Sequence, residues 1–195
     1  MKVRAEVAVE LDGREVYRGP SKSFVQNFAI TYMAFMLNSI QSVTQPDGTT
    51  GSIRPGISGT NVTLHFYYAA GDNDDTNGVW VGSGSTPVSP TDYNLRSKIP
   101  HGTGTGQLDY DPQTVTASYG SSSSYVEIAR TFVNRTSDDV IVREVGLVAY
   151  QYARSISPSV ESRTRELIAR DVLPSPVTVK PLGSLTVRYR ISLSL

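Results

Sequence analysis

Few residues in this chain are of the types that carry chemistry in enzymes. The 195 residues include two histidines, His65 and His101, and no cysteine. Thiol catalysis, thiolate metal sites and disulfides are therefore excluded. His65 alternates with apolar neighbours in a predicted strand, and His101 lies in a glycine-rich loop without a Gly-x-Ser-x-Gly nucleophile motif. We expect packing or contact roles for both histidines, and we predict no catalytic residue.

Two glycine-containing segments partly match known ligand-binding loops. Residues 102–106 read GTGTG, but they lack the lysine and the following helix that a phosphate loop requires. Residues 72–78 read DNDDTNG, which matches the first half of a calcium loop, although Gly84 stands where a bidentate glutamate is needed. We interpret both segments as turns, with calcium binding at 72–78 as the alternative. We predict no metal and no cofactor.

The charge balance argues against nucleic acid and membranes as partners. Eighteen basic and eighteen acidic residues cancel, so the chain lacks the basic excess of a nucleic-acid binder. Residues 72–111 carry six aspartates against one arginine and one lysine, a balance of −4 that could orient neighbouring subunits or simply be solvated. The most apolar stretch, 24–37, is too short and too often interrupted to span a bilayer. The first residues alternate charged and apolar side chains, unlike a secretory signal.

Strand-like alternation dominates the sequence. Residues 3–17 form a predicted hairpin around Asp12-Gly13. In residues 185–195 every second residue is apolar, which places these side chains on one face of a strand. About nine short strands separated by Gly, Pro, Ser and Asp turns indicate a single all-β domain over 1–195. We expect a β-sandwich, either a jelly roll or an immunoglobulin-like fold. A partly open β-barrel closed by a helix is the alternative.

The predicted loops are unusually long. Residues 44–60 and 82–106 are rich in Gly, Ser, Thr and Pro, and we expect them to be surface loops that become ordered against a neighbouring molecule. Residues 153–164 are also expected to form a polar loop.

One amphipathic helix is predicted over residues 23–40. Ser23 and Gln26 match a capping box. Two adjacent rows on the helix surface, each made of residues four positions apart, contain only apolar side chains. This wide apolar stripe is expected to cover a sheet, and Phe35, which lies off both rows, suggests cover on a second side. The side chains expected to serve assembly or packing are Phe24, Phe28, Tyr32, Phe35, Met36, Tyr93, Leu95 and Ile99.

Four segments carry a family resemblance. Residues 81–95 (VGSGSTPVSPTDYNL), 143–147 (REVGL), 168–173 (IARDVL) and 176–187 (PVTVKPLGSLTV) resemble segments of structural proteins of tailed bacteriophages and of hypothetical proteins of archaeal viruses. The resemblance covers roughly 80–195. It implies a virion component assembled in the host cytoplasm, and it brings no catalytic residues to this chain.

These observations together predict a non-enzymatic virion structural protein, of the capsid, a decoration, the neck or the tail. Its expected partners are copies of itself and other virion proteins, met through sheet edges, loops and the helix. One alternative is a subunit of an extracellular filament or surface layer. Another is a carbohydrate-binding module or adhesin in which Trp80, Tyr67, Tyr68 and Tyr93 stack on sugars.

Overall fold

The computed structural model describes residues 2–21, 24–37, 39–53, 63–121, 123–156 and 159–194. Within these ranges strands dominate and there is one helix, which confirms the predicted all-β class. In chain order the elements are β1 (Lys2–Leu11), β2 (Arg14–Pro20), α1 (Gln26–Leu37), β3 (Gln41–Thr44), β4 (Thr50–Ile53), β5 (Thr63–Tyr67), β6 (Gly78–Gly82), β7 (Asp109–Tyr110), β8 (Thr114–Tyr119), β9 (Ser123–Val133), β10 (Val140–Ile156), β11 (Ser159–Val179) and β12 (Ser184–Ser194).

The strands form two large sheets and one small one. Sheet A has the order β2-β1-β12-β9, and β7 and β8 pair one after the other with the remaining side of β9. Sheet B has the order β11-β10, and β5 and β6 share the remaining side of β10 in the same manner. The hairpin of β3 and β4 forms the third sheet. All these pairings are antiparallel.

The predicted N-terminal hairpin is confirmed. Asp12 and Gly13 have φ angles of +48° and +77°, which is the left-handed pair that a two-residue hairpin turn requires. Val7 and Val9 of β1 are fully buried, whereas Glu10 on the opposite face pairs with Arg188 at 2.9 Å. The alternation in the sequence therefore reports one buried and one solvated face.

One hydrophobic core draws side chains from both large sheets. Leu185, Val187 and Tyr189 of β12 face this core as predicted. Leu95 and Ile99, from the loop between β6 and β7, are each only 4% exposed and pack into the same core. The loop therefore supplies core residues to the sheets that it connects.

Two predicted loops are wrong. Residues 44–60 contain the end of β3 and all of β4, whose pairing buries Val43 and Ile53 beside Ala34 of the helix. This hairpin is too short and too polar to show a strand period in sequence; residues 54–60 lie outside the described part of the chain. In residues 153–164, β10 and β11 continue as a paired ribbon up to Ile156 opposite Ser159. Backbone pairing alone can extend such a ribbon, so no apolar signal marks it.

Strand β11 continues past two prolines to Val179. The register of β10 and β11 shifts between Val142 and Glu144, so that residues 173–176 lie opposite Arg143 alone. Pro174 and Pro176 fall within this bulge on an edge strand, where a missing N–H costs no ladder hydrogen bond. The prolines therefore interrupt the pairing without ending the strand.

Candidate assembly surface

Helix α1 spans Gln26–Leu37 and is shorter than predicted. Its first N–H group, on Gln26, donates to the carbonyl of Pro90 at 2.7 Å. This contact ties the start of the helix to the loop between β6 and β7. Ser23, predicted as the cap, lies outside the described residues, and Ile40 follows the helix. In the part of the chain that the structure describes, no helix is long and apolar enough to cross a membrane.

The helix turns its apolar side chains away from the protein, which contradicts the predicted orientation. Its buried residues are Asn27, Thr31 and Ala34. A set that we name the apolar helix face is exposed instead, by 40–67%: Tyr32, Met33, Phe35, Met36, Leu37 and Ile40. No residue of α1 carries a charge. Exposed apolar surface of this kind typically marks an interaction site.

Polar contacts explain the inverted orientation. The amide of Asn27 donates to the carbonyl of Thr44 at 2.9 Å, which anchors the helix on β3. The hydroxyl of Thr31 contacts the carboxyl group of Glu166 on β11. Ala34 is small enough to lie against Val43 of the small hairpin. A buried carboxyl group needs a hydrogen-bonding neighbour, so the polar row of the helix faces inward.

The carboxyl group of Glu166 shares the Thr31 hydroxyl with a backbone carbonyl. Thr31 has one hydroxyl hydrogen but contacts two oxygens, the carbonyl of Asn27 at 2.8 Å and the Glu166 carboxyl group. The hydroxyl can donate to only one of them at a time, so it satisfies the carboxyl group of Glu166 incompletely. Its other oxygen, Oε1, is buried without a hydrogen-bond partner among the described residues. Burial accordingly raises the Glu166 pKa from 4.5 to about 8, against a lowering contribution from Thr31.

Phe24 and Phe28 lie between this surface and the sheet. Both are half-buried, and their rings stack with centroids 4.2 Å apart. Phe24 forms a bridge to Ala169 of β11, and the N–H of Val25 donates to the carbonyl of Ile168 at 3.0 Å. The segment before α1 therefore covers part of the β11 edge and fixes where the helix begins.

A buried ion cluster holds the loop between β6 and β7. Arg170 donates to Glu144 at 2.7 Å, to Asp92 at 2.8 Å and to the carbonyl of Thr86 at 2.9 Å. The side chains of Arg170 and Glu144 are fully buried, and that of Asp92 is 2% exposed. Residues 82–106 do form a long loop as predicted, but contacts within this chain order it.

The same cluster binds the loop backbone. Glu144 accepts hydrogen bonds from the N–H groups of Ser97 at 2.8 Å, Gly84 at 3.2 Å and Arg96 at 3.2 Å. Tyr93, 43% exposed, is held in this loop across a cleft of about 280 Å³ from α1. Of the predicted residues, Tyr93 thus lies beside the helix, whereas Leu95 and Ile99 are core residues.

Three of the four segments singled out in the sequence meet at this cluster. Asp92 lies in residues 81–95, Glu144 in residues 143–147 and Arg170 in residues 168–173. Gly146 belongs to the same place, because a Cβ atom there would lie 2.8 Å from the Leu95 side chain. These segments therefore share one structural task, which is to lock the long loop onto sheet B.

The remaining residues of types that could carry chemistry make contacts within the chain. Asp75 lies in residues 72–78, which partly match a calcium loop. Its carboxylate pairs with Lys98 at 3.1 Å and accepts a hydrogen bond from the N–H of His101 at 3.1 Å. Within the described residues no cluster of three or more His, Asp or Glu side chains could hold a metal ion. Nδ1 of His101 accepts the N–H of Tyr110 at 3.3 Å, and His65 lies in β5.

The proposed sugar-stacking platform does not form around Trp80. This side chain is 4% exposed, and the Lys98 ammonium group lies 4.1 Å from its ring centroid. A stacking residue must present an open ring face, and Trp80 does not.

Comparison with protein-family models, curated proteins and solved structures finds no match for this chain.

Sequence reasoning found the right helix but assigned its faces wrongly. Asn27, Thr31 and Ala34 also form a regular row, and hydrophobic periodicity alone cannot say which row faces inward. A usable signal is Glu166, a charged residue directly before the apolar run 167–169 of β11, because it requires a polar partner when it is buried. Arg170 and Glu144 carry the same signal, since each interrupts an apolar strand.

Proposed function

We propose that this chain is a non-enzymatic structural subunit of a virus particle, built as a β-sandwich and assembled with copies of itself. The observation that carries the proposal is the apolar helix face, which six uncharged side chains present to solvent. The two large sheets share one core and each keep edge strands, which favours a sandwich over a closed barrel. The resemblance of residues 80–195 to virion proteins supports the particle as the setting.

The energetics favour a covered helix face. Fully burying a large apolar side chain yields about 1.5–3 kcal/mol, so covering six half-exposed ones yields several kcal/mol. Because α1 carries no charge, the contact requires no ion to lose its water. A neighbouring subunit that packs on this face therefore gains apolar burial without a matching polar cost.

The rigid loop supports the same role. Arg170, Glu144 and Asp92 fix Tyr93 beside α1 before any partner binds. A contact residue held in place in advance loses less conformational entropy on association. Exposed tyrosine is also among the side chains that contribute most to interfaces.

The proposal is tested by the assembly state of the purified protein. We expect light scattering after size exclusion to show discrete oligomers, and electron microscopy to show rings, tubes or shells. Met36→Asp places a charge on a side chain that is 67% exposed, so it should reduce association at least tenfold without unfolding the protein. Leu182→Asp, at an 84% exposed site in the turn before β12, is the matched control and should assemble normally.

The other outcomes are equally informative. A strictly monomeric wild-type protein at high concentration contradicts the proposal. Open-ended filaments that form without virion partners favour the filament or surface-layer alternative, and specific binding on a glycan array favours the adhesin. Equal losses in the Met36 and Leu182 variants would show that the helix face has no special role.

A further inference from the structure

Strand β8 is an unprotected sheet edge. Among the described strands it pairs with β9 alone, and all six of its residues are exposed. The strand reads TVTASY and contains no charge, proline or glycine. Natural proteins usually protect exposed edges with such residues because free backbone groups recruit another strand.

The opposite edge of the same sheet is protected. Strand β2 carries Arg14, Glu15 and Arg18 and ends at Pro20. Arg18 forms ion pairs with Glu15 and with Glu6 of β1. A strand that added to β2 would have to displace or desolvate these charges. The two edges of sheet A therefore differ sharply in their readiness to pair.

The apolar residues of β8 extend the core face of sheet A. Val115 and Ala117 lie opposite Ile128 and Val126 of β9, and Ile128 is fully buried in the core. Because opposed residues of paired strands share a face, Val115, Ala117 and Tyr119 continue that face to the free edge. There Val115 is 46% exposed and Tyr119 is 84% exposed.

We propose that β8 pairs antiparallel with β8 of a second copy, across a two-fold axis at Ala117. A two-fold axis normal to the sheet places the same face of both copies on the same side. With this symmetry, the residue at the axis lies opposite the same residue of the second copy. Val115 then opposes Tyr119 of the second copy on the core face, and Thr116 opposes Ser118 on the other. No charged residue enters the seam, and the apolar face continues from one copy to the next.

This pairing rests on the proposed self-assembly and gives it a second contact, separate from the apolar helix face. It joins two six-stranded sheets into one and leaves β2 as the outer edge of each copy. The occupant is a second copy because the strand matches itself: each pair across the axis is apolar with apolar or hydroxyl with hydroxyl.

A single cysteine tests the register. The chain contains no cysteine, so Ala117→Cys introduces the only thiol. Opposed residues in an antiparallel pair have Cα atoms about 4.5–5.5 Å apart, which is within the range of a disulfide. Mild oxidation should convert most of this variant into a covalent dimer. Val16→Cys on the β2 edge, exposed by 49%, is the matched control and should remain mostly uncrosslinked. Equal crosslinking of both variants, or none in either, overturns the register.

Opposite charges test the pairing without a thiol. Ala117→Lys and Ala117→Glu each place like charges directly across the axis, and each should weaken association at least tenfold. Mixing the two variants should restore it, because the charges then complement each other. If both variants associate as the wild type does while Met36→Asp does not, this inference is wrong and the proposed function stands. If the β8 variants alone lose association, the pairing holds without the helix face.

Discussion

Two buried glutamates on sheet B have opposite surroundings. Glu144 on β10 accepts hydrogen bonds from Arg170 and from three backbone N–H groups. Glu166 on β11 has the hydroxyl of Thr31 and an Oε1 atom without a hydrogen-bond partner among the described residues. Both are fully buried. One site is built to hold a charge, and the other is built to hold a proton.

The difference separates a permanent contact from a conditional one. The Glu144 cluster locks the loop that carries Tyr93, and it does so through a charged arginine. The Glu166 contact fastens α1, and it depends on a group whose pKa is raised to about 8 by burial. In the candidate assembly surface, the loop that carries Tyr93 is therefore held rigidly, whereas the attachment of α1 depends on pH.

Removing the arginine should have the largest effect. Arg170→Met keeps the side-chain length but leaves Glu144 buried without its cation and Asp92 paired with Arg96 alone. We expect a loss of about 3–5 kcal/mol in the free energy of unfolding, measured by urea titration followed by circular dichroism. Lys180→Met removes the exposed pair with Asp139, and this control should lose less than about 1 kcal/mol. Similar losses in both variants would mean that the buried cluster does not stabilise the fold.

This cluster also marks the limit of prediction from the sequence. Strand β12 and the N-terminal hairpin were predictable because alternation over six or more residues reports one buried face. The contact between Arg170 and Asp92 spans 78 residues, and no local pattern encodes such a pairing. The segments around both residues were singled out in the sequence, but their shared role is visible only in the fold.

The helix shows a different limit. Its position follows from local periodicity, yet its orientation depends on Glu166, which lies 135 residues from Thr31. Local apolar content favoured the wrong face because burial of Phe, Met and Tyr is normally the dominant contribution. Here a buried carboxyl group and a small hairpin select the row with Asn27 and Thr31 instead.

Changing the pH should affect the Glu166 site next most strongly. The folded protein holds a proton on Glu166 up to about pH 8, whereas an unfolded chain releases it near 4.5. The stabilisation is therefore complete below pH 4.5 and is lost as pH rises through 8. The full change in the free energy of unfolding would be about 1.4 kcal/mol per unit of difference between the folded and unfolded pKa. We expect a smaller loss, roughly 2–4 kcal/mol across this window, because solvent can enter around α1.

The variant Glu166→Gln isolates this contribution. Glutamine keeps the shape and the hydrogen-bonding capacity but cannot ionise, so the difference in unfolding free energy from wild type should grow from pH 5 to pH 9. Facing Glu166 are the Thr31 hydroxyl and the half-buried Tyr68, whose pKa is raised by desolvation and then by the Glu166 charge. A difference that does not vary with pH would show that Glu166 is already ionised in the folded protein.

The smallest of these effects is expected for Thr31→Val, which keeps the branched shape and removes the hydroxyl. It should cost about 1–2 kcal/mol, since a buried carboxyl group loses its hydrogen bond. The Thr31 hydrogen bond lowers the pKa of Glu166, so its loss should move the midpoint of the pH-dependent transition upward. Thr31→Ser retains the hydroxyl and should keep the wild-type midpoint.

The midpoint separates two explanations of how α1 is held. If valine costs stability and also shifts the midpoint, the hydrogen bond between the Thr31 hydroxyl and the Glu166 carboxyl group helps to hold the helix. If valine leaves the midpoint unchanged, burial alone sets the protonation of Glu166. The hydrogen bond from Asn27 to the Thr44 carbonyl and the packing of Ala34 must then hold the helix in place. In that case the apolar helix face would stay fixed at every pH at which the sheets remain folded.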